Sequence, residues 1–426
     1  MVIFFINRLY LPPEDTTALG NSSKLKIFND PIYGFIGVPS SFFFELVDHP
    51  YFQRLRRISQ MGLSYLVYPG AHHTRFHHAL GCLHLMQKAI GILRFKGTEI
   101  TAEEEEALMI AILLHDIGHG PFSHALEFSL VGQRTHESIS LEFMEKLNEV
   151  YNGRLDLAIA IFKGEYHKSF LNQLVSSQLD MDRLDYLKRD SFYSGVAEGN
   201  INSERLISML NVADGQLVVE EKGLYSVEKF LMARRFMYWQ VYLHKTSLVA
   251  ELLLKRILER ARELLSAGVS LSGSAVLLRF LNSSQEAIDP TLFLDTYAEL
   301  DDNDIIMSLK EWQHHSDFVL SKMSQMILHR KLPFIRFKDK PMKEEKWEEK
   351  KTKLSSQWSL DPSQIAYFIF TGEVSNQAYS LNTSQIRILT KTEEVKDLHE
   401  LSRFFGSKEL LVPQSQYYVA YPKKGV

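Results

Sequence analysis

Apolar residues recur at helical spacing over most of the chain, and the rhythm changes near residue 330. Residues 41–59 read as a helix, with a break at Gly62 and a stop at Pro69-Gly70. Residues 76–95, "FHHALGCLHLMQKAIGILRF", have the spacing of a second. Thr101, with Glu104 three residues on, forms a capping-box signature, and the acids Glu103 to Glu106 suit the positive end of a helix dipole. "ALMIAILLHD" follows, apolar on nearly every face, which predicts a central helix. Gly118, Gly120 and Pro121 end it, and "FSHALEFSL" starts the next. Helical patterns continue at 137–149, 170–190, 203–211 and 226–266, then at 273–283, 290–299 and 303–329. Beyond 330, "LPFIRF", "IAYFIFTG", "IRILTK" and "YYVAYP" are β-rich runs separated by turn residues. The charged block 340–354 reads as a solvated helix rather than a binding patch. The expected fold is mainly α, with a helical body to about 330 and a small C-terminal α+β module.

Composition narrows the function classes. At 426 residues the chain can bury a large core. A net charge of -4 gives no global signal for nucleic acid or an acidic membrane surface. The one cysteine, Cys82, excludes an internal disulfide framework and argues against a cysteine-rich zinc module, so a reducing, cytoplasmic setting is expected. No apolar run approaches the roughly 18–20 residues that span a membrane. The apolar head "MVIFFI" is short for a signal-peptide core and reads as a strand or a docked tail.

The chemistry gathers in four places. "HHTRFHHALG" supplies His72, His73, Arg75, His77 and His78; "HDIGHGPFSH" supplies His115, Asp116, His119 and His124; "THES" supplies His136 and Glu137; "LDMDRLDYLKRD" supplies Asp180, Asp182, Asp185 and Asp190. More than half of the 16 histidines lie between 72 and 136. Neighbours on a helix point about 100° apart, so an adjacent His-Asp pair reaches one ion only from a helix end. Imidazole and carboxylate together suit zinc, iron, manganese or nickel rather than calcium. One histidine before the pair and one acid after it would complete four ligands, and His78 and Asp182 are the choices. Taken singly, each piece has a plainer reading: a chance dipeptide, a core histidine, or a charged amphipathic helix in which Asp182, Asp185 and Lys188/Arg189 follow i, i+3, i+4 spacing.

The ordered pattern H…HD…H…HE…D resembles the HD-domain metal-dependent phosphohydrolases. "FQRLRRISQMGLSYLVYPGAHHTRFHHALG", "LLHDIGHGPFSHALE" and "DMDRLDYLKRD" look like the deoxynucleoside triphosphate triphosphohydrolase branch, which includes bacterial dGTPases and the animal sterile-alpha-motif/HD-domain dNTPase. The resemblance covers about residues 45–250. It implies an HD-domain helical bundle as catalytic core (41–215), preceded by an N-terminal segment (1–40). A helical extension completing the substrate site and an oligomer interface would follow (216–330), then the α+β module (331–426). It implies His78, His115, Asp116 and Asp182 as ligands of one divalent metal, with Fe, Mn, Ni or Zn expected and Mg allowed. It places His124, His119 and His136 at the phosphate end, one of them as the acid for the leaving group, with Glu127 orienting it where the family often has Asp. Arg75, Arg183, Tyr186 and Asp190 would contact phosphates or sugar hydroxyls. Gln60 and Met61 match a pair at the sugar's 3′ side, Met61 replacing a leucine. Arg234 and Tyr242 match a phosphate-contacting Arg and a Tyr near the sugar 2′ carbon. Tyr238 stands where the animal enzyme has a histidine, and no counterpart of its sterile-alpha-motif domain is found. "YLHK" (242–245) echoes one of its allosteric segments, but nucleotide activation is not carried over.

The first expectation is hydrolysis of a deoxynucleoside triphosphate to deoxynucleoside and triphosphate by a homodimer or higher homo-oligomer without membrane contact. An alternative is another phosphohydrolase reaction, on nucleoside monophosphates or other phosphoesters, at the same metal site. A second is a non-catalytic nucleotide or nucleic-acid binder. The aromatic and arginine-rich stretch 42–57 could contact nucleic acid but fits a core or interface role better.

Overall fold

The computed structural model describes residues 26–122, 132, 134–282, 292–376, 385–404 and 414–423. Helices dominate it, with three small sheets at the edges. A hairpin of β1 (Ile27–Asp30) and β2 (Gly34–Gly37) opens the described chain. The elements that matter for the site are α1 (Ser41–Asp48), α2 (Arg75–Phe95), α3 (Ala102–Leu114), α4 (His136–Val150), α5 (Met181–Ser194), α6 (Leu224–Met237), α7 (Lys245–Ser266) and α8 (Asp302–Trp312). Helix α3 begins at the expected capping box: the Glu104 amide donates to the Thr101 hydroxyl at 3.1 Å and the Thr101 amide to Glu104 at 2.9 Å. Every residue from Ala107 to Leu114 is buried, so α3 is the central helix, with α2 against it. No described helix is long and apolar enough to cross a membrane.

Local capping breaks several helices that periodicity alone would run on. The 41–59 pattern stops at His49, because a residue before proline is pushed out of the helical region; His49 takes ψ 137° ahead of Pro50. The 170–190 pattern is two helices, since Asp180 adopts extended backbone and accepts the Arg183 amide at 2.7 Å to start α5. The 226–266 pattern is α6, a π-turn at 238–242, and α7, whose start is capped by His244 Nδ1 accepting the Thr246 amide. The 303–329 pattern splits where Asp317 caps the helix Phe318–Leu328. The 203–211 pattern ends as β3 (Leu210–Ala213), which pairs with β4 (Gln216–Glu220) around Asp214-Gly215, both at positive φ.

The C-terminal β-rich runs form strands, but not one sheet. β5 (Phe334–Lys338), β6 (Phe370–Asn376) and β9 (Gln414–Tyr421) make an antiparallel sheet in the order β5-β9-β6. β7 (Arg387–Leu389) instead pairs in parallel with β4 of the body, and β8 (Val395–Asp397) pairs with β7. The charged block forms the helix Glu344–Trp358, in which Leu354 alone is buried.

Helix α5 packs on α2 with almost no clearance. At Gly81 of α2, a Cβ would overlap the Asp185 carboxylate and the Arg189 guanidinium, both fully buried. Gly81→Ala is therefore expected to lower the urea midpoint, at unchanged m-value, by a stability loss of about 1–3 kcal/mol, the usual cost of forcing volume into a packed interior. A wild-type midpoint would show that the two helices can part freely.

Candidate metal and phosphate site

Helix α3 ends at Leu114, and His115 and Asp116 leave its C-terminus together. The His115 ring is held from behind: Nδ1 donates to the Ile112 carbonyl at 2.7 Å. That leaves Nε2 with its lone pair facing inward, buried, without a hydrogen-bond partner, 3.5 Å from Asp116 and 3.6 Å from Asp182. His78, on the first turn of α2, is fixed the same way, with Nδ1 on Asp185 at 2.8 Å. Its Nε2 lies 3.1 Å from Asp182 and 3.6 Å from Asp116. His78, His115 and Asp182, from three separate segments, thus each bring one ligand atom within 4.8 Å of one another, and Asp116 stands alongside, grouped with His119 and His136. The donor set fits a divalent transition ion: both imidazoles expose Nε2, and a carboxylate or carbonyl holds each Nδ1. Cys82, one turn after His78, is buried beside the cluster, its Sγ 3.5 Å from His78 Nδ1.

Electrostatics keep these acids ionised. Burial alone would raise Asp182, but the facing His115 and His78 imidazoles hold it well below the usual carboxylate range. Burial is likewise outweighed at Asp116, by His115, His119 and Arg75. Asp185 is held at about 2, against its burial, by Arg189 and His78. Burial and then the Arg75 guanidinium keep His119 well below its ordinary value, hence neutral.

The turn after Asp116 carries His119, whose Nε2 lies 3.2 Å from Asp116 and whose ring stacks on His136 at 4.0 Å between centroids. His136 begins α4. Gly118 is needed where this turn crosses α4, since a Cβ would overlap the His136 carbonyl and the Ser140 amide. His124 and Glu127 lie outside the described residues.

A cationic and aromatic wall stands beside the cluster. Arg75 Nη1 pairs with Asp116 at 2.5 Å, Arg183 pairs with Asp180, and Arg234 lies 5.8 Å over the Tyr238 ring. The Nε groups of all three arginines are buried with no hydrogen-bond partner, as is Gln60 Oε1. The Tyr242 hydroxyl donates to Asp190 at 2.6 Å, and its ring meets Tyr186 and Tyr238 edge-on. Met61 is buried beside Gln60, whose amide donates to the His73 carbonyl at 3.0 Å.

Asp185, Arg189 and His73 were named from the sequence only as parts of a charged helix and a histidine cluster, with no role in the site. The first two have the spacing of a solvated salt-bridged helix, yet both are fully buried. Arg189 grips Asp185 at 2.8 and 3.0 Å and reaches Asp30 of the β1–β2 hairpin at 2.7 Å. His73 Nε2 holds Asp190 at 2.7 Å. The one available signal was the side on which these residues fall: Asp182, Asp185 and Arg189 share a face of α5.

Glu251 of α7 was missed. A Cβ at Gly62, next to Met61, would sit 3.3 Å from its Oε1. Burial pushes the Glu251 carboxyl from 4.5 up to about 8. A carboxyl whose folded pKa exceeds its unfolded value binds a proton more tightly when folded, so stability falls as pH rises from about 4.5 through about 8. Glu251→Gln, neutral at every pH, should match the wild-type Tm at pH 5 and exceed it at pH 9. Equal Tm values at both pH values would rule the buried carboxyl out.

The HD-domain family model matches residues 75–190, and the HD-associated region matches 201–271. A phosphohydrolase of Bacteroides thetaiotaomicron has a solved structure similar to this one, with a TM-score of 0.90 and 48% identity, covering 94% of this chain and 100% of that one. The uncharacterized protein YwfO of Bacillus subtilis is 33% identical over 91% of this chain and 90% of its own length. The SAMHD1 homolog of Dictyostelium discoideum, a deoxynucleoside triphosphate triphosphohydrolase, is 31% identical over 64% of this chain, which spans 58% of it. The chain belongs to the HD-domain phosphohydrolases, in the branch that contains the SAMHD1-like deoxynucleoside triphosphate triphosphohydrolases.

Proposed function

We propose that the protein hydrolyses deoxynucleoside triphosphates to deoxynucleoside and tripolyphosphate. The observation that carries this is the three buried, partnerless arginine Nε groups of Arg75, Arg183 and Arg234 beside the His-Asp cluster. Guanidinium groups that keep a buried Nε donor unused, two of them already balanced by a neighbouring carboxylate, suit a substrate with several phosphate oxygens. The similarity to the Dictyostelium triphosphohydrolase supports the same reading.

In this reading His78, His115, Asp116 and Asp182 hold one divalent ion, of Fe, Mn, Ni, Zn or Mg. Such an ion supplies Lewis acidity toward a phosphoryl oxygen. The chain's own residues do the rest. Arg75, Arg183 and Arg234 balance charge building on the phosphate oxygens. Neutral His119, stacked on His136, donates a hydrogen bond rather than adding a cation. His124, with Glu127 as its partner in this reading although both lie outside the described residues, would give its proton to the sugar oxygen as water attacks the α-phosphorus and the bond from that phosphorus to the sugar oxygen breaks. Gln60 and Asp190 face the sugar's hydroxyl side, Met61 packs on the sugar or base, and Tyr186 backs the pocket. The Tyr242 ring, tied to Asp190, fills the space a 2′ hydroxyl would need.

Two measurements test this. Metal-loaded protein incubated with each dNTP should release deoxynucleoside and tripolyphosphate from at least one, followed by chromatography, and His115→Ala should lower turnover about 100-fold or more. Release of orthophosphate from nucleoside monophosphates, with all dNTPs intact, would favour the phosphomonoesterase reading instead. Independently of turnover, Asp185→Asn should weaken divalent-metal binding about 10- to 100-fold in equilibrium dialysis, because the carboxylate that orients His78 is lost. Wild-type affinity in that variant would remove Asp185 from the metal argument.

A further inference from the structure

Phe122 lies in the turn region after His119, and its φ of 45° falls in the left-handed region, where a bulky residue is strained. Such a conformation persists only where the surroundings fix it. The Phe122 amide donates to Oδ1 of Asp302 at 3.0 Å. The other oxygen of that carboxylate, Oδ2, accepts the Ser59 amide at 2.8 Å. Ser59 precedes Gln60 and bridges Thr74, the residue before Arg75. One buried carboxylate therefore ties the phosphate-side turn to the segment bearing Gln60 and Met61.

The same two arms are braced nearby. Arg54, fully buried, donates to the carbonyls of Ile117 at 2.9 Å and His119 at 2.8 Å. The Tyr297 hydroxyl donates to the Gly118 carbonyl at 3.0 Å, and Arg57 pairs with Asp301. Residues 297–302 lie outside both matched family regions.

We infer that Asp302 is a positioning residue that sets the spacing between the phosphate-facing turn and the sugar-facing segment without touching substrate. Here each of the two N–H donors takes its own carboxylate oxygen, Phe122 on Oδ1 and Ser59 on Oδ2. Asparagine offers one acceptor oxygen, and turns an NH2 donor on the other amide. The kinetic arm below rests on the site reading proposed above; the exchange arm does not.

Hydrogen–deuterium exchange on the metal-free, substrate-free chain is the first arm. In Asp302→Asn the peptides containing Ser59 and Phe122 should exchange about tenfold faster, while those within 102–114 and 181–194 stay protected. Asp304→Ala is the control: Asp304 belongs to the capping box of α8, accepts the Asp301 amide at 2.7 Å and touches neither clamped amide. It should lower Tm and leave both amides protected. In the second arm, run well below Tm on whichever phosphoester the wild type turns over, Asp302→Asn should lower kcat about tenfold or more, as small misplacements of reacting groups do, and Asp304→Ala should not. Unchanged protection in Asp302→Asn, or equal deprotection in both variants, overturns the clamp whatever the substrate. Freed amides with wild-type kcat overturn the positioning role. Should Asp302→Asn not fold, Asp302→Glu carries the test, because it keeps both acceptors on a longer arm: a lowered kcat supports the role and an unchanged one refutes it.

Discussion

The Asp185 carboxylate is the contact on which the rest of the site depends. It lies fully buried between the His78 imidazole on one side and the Arg189 guanidinium on the other. A buried carboxylate is costly unless its charge is balanced and its oxygens are satisfied. Here Arg189 does both with two bonds, and its third reaches Asp30 on the N-terminal hairpin. The chain Asp30–Arg189–Asp185–His78 thus runs from the edge of the fold to the centre of the ligand cluster. It fixes the tautomer of His78, the register of α5 on α2, and the docking of β1–β2 together. Gly81 exists at the crossing because nothing larger fits there.

The cluster itself is held apart by design of its neighbours rather than by contacts within it. His115 Nε2 stays 3.5–3.6 Å from its acids because Nδ1 is anchored on Ile112 at the end of the stiff, fully packed α3. Arginines and acids are interleaved here: Arg75 pairs with Asp116 and Arg183 with Asp180, while the Nε groups of Arg75, Arg183 and Arg234 stay buried without a hydrogen-bond partner. A site in which some polar atoms remain open differs from a cluster built only for stability, in which polar groups are closed on one another.

Much of the site was legible in the sequence because its chemistry is concentrated in short runs. The structure brings His78, His115 and Asp182 together, with Cys82 beside them, and puts Asp116 with His119, His136 and Arg75, all residues in the runs that the sequence singled out. Helix existence was legible for the same reason: long apolar periodicities report burial. Helix ends were not. Asp180, His244 and Asp317 each cap a new helix inside a continuous apolar pattern, and a side-chain cap costs the pattern nothing visible. Asp185 and Arg189 were misread because a salt-bridged surface pair and a buried ion pair have identical spacing; only the packing of α2 separates them. The parallel pairing of β4 with β7 joins segments some 170 residues apart, and no local signal encodes that register.

Long-range contacts of this kind also decide how stiff the pocket is. The matched family regions carry the ligand cluster, but the turn after Asp116 is shaped from outside them, by Arg54 before and Tyr297 and Asp302 after. Left to itself, a turn with Gly118, Gly120 and a left-handed Phe122 would sample many conformations. Instead, the carbonyls of Ile117, Gly118 and His119 and the amides of Gly118 and Phe122 are taken by side chains from distant elements. The same bonds that meet the cost of burying an irregular loop hold His119 against Asp116. In this fold, satisfying buried backbone and orienting the reactive face are the same set of interactions.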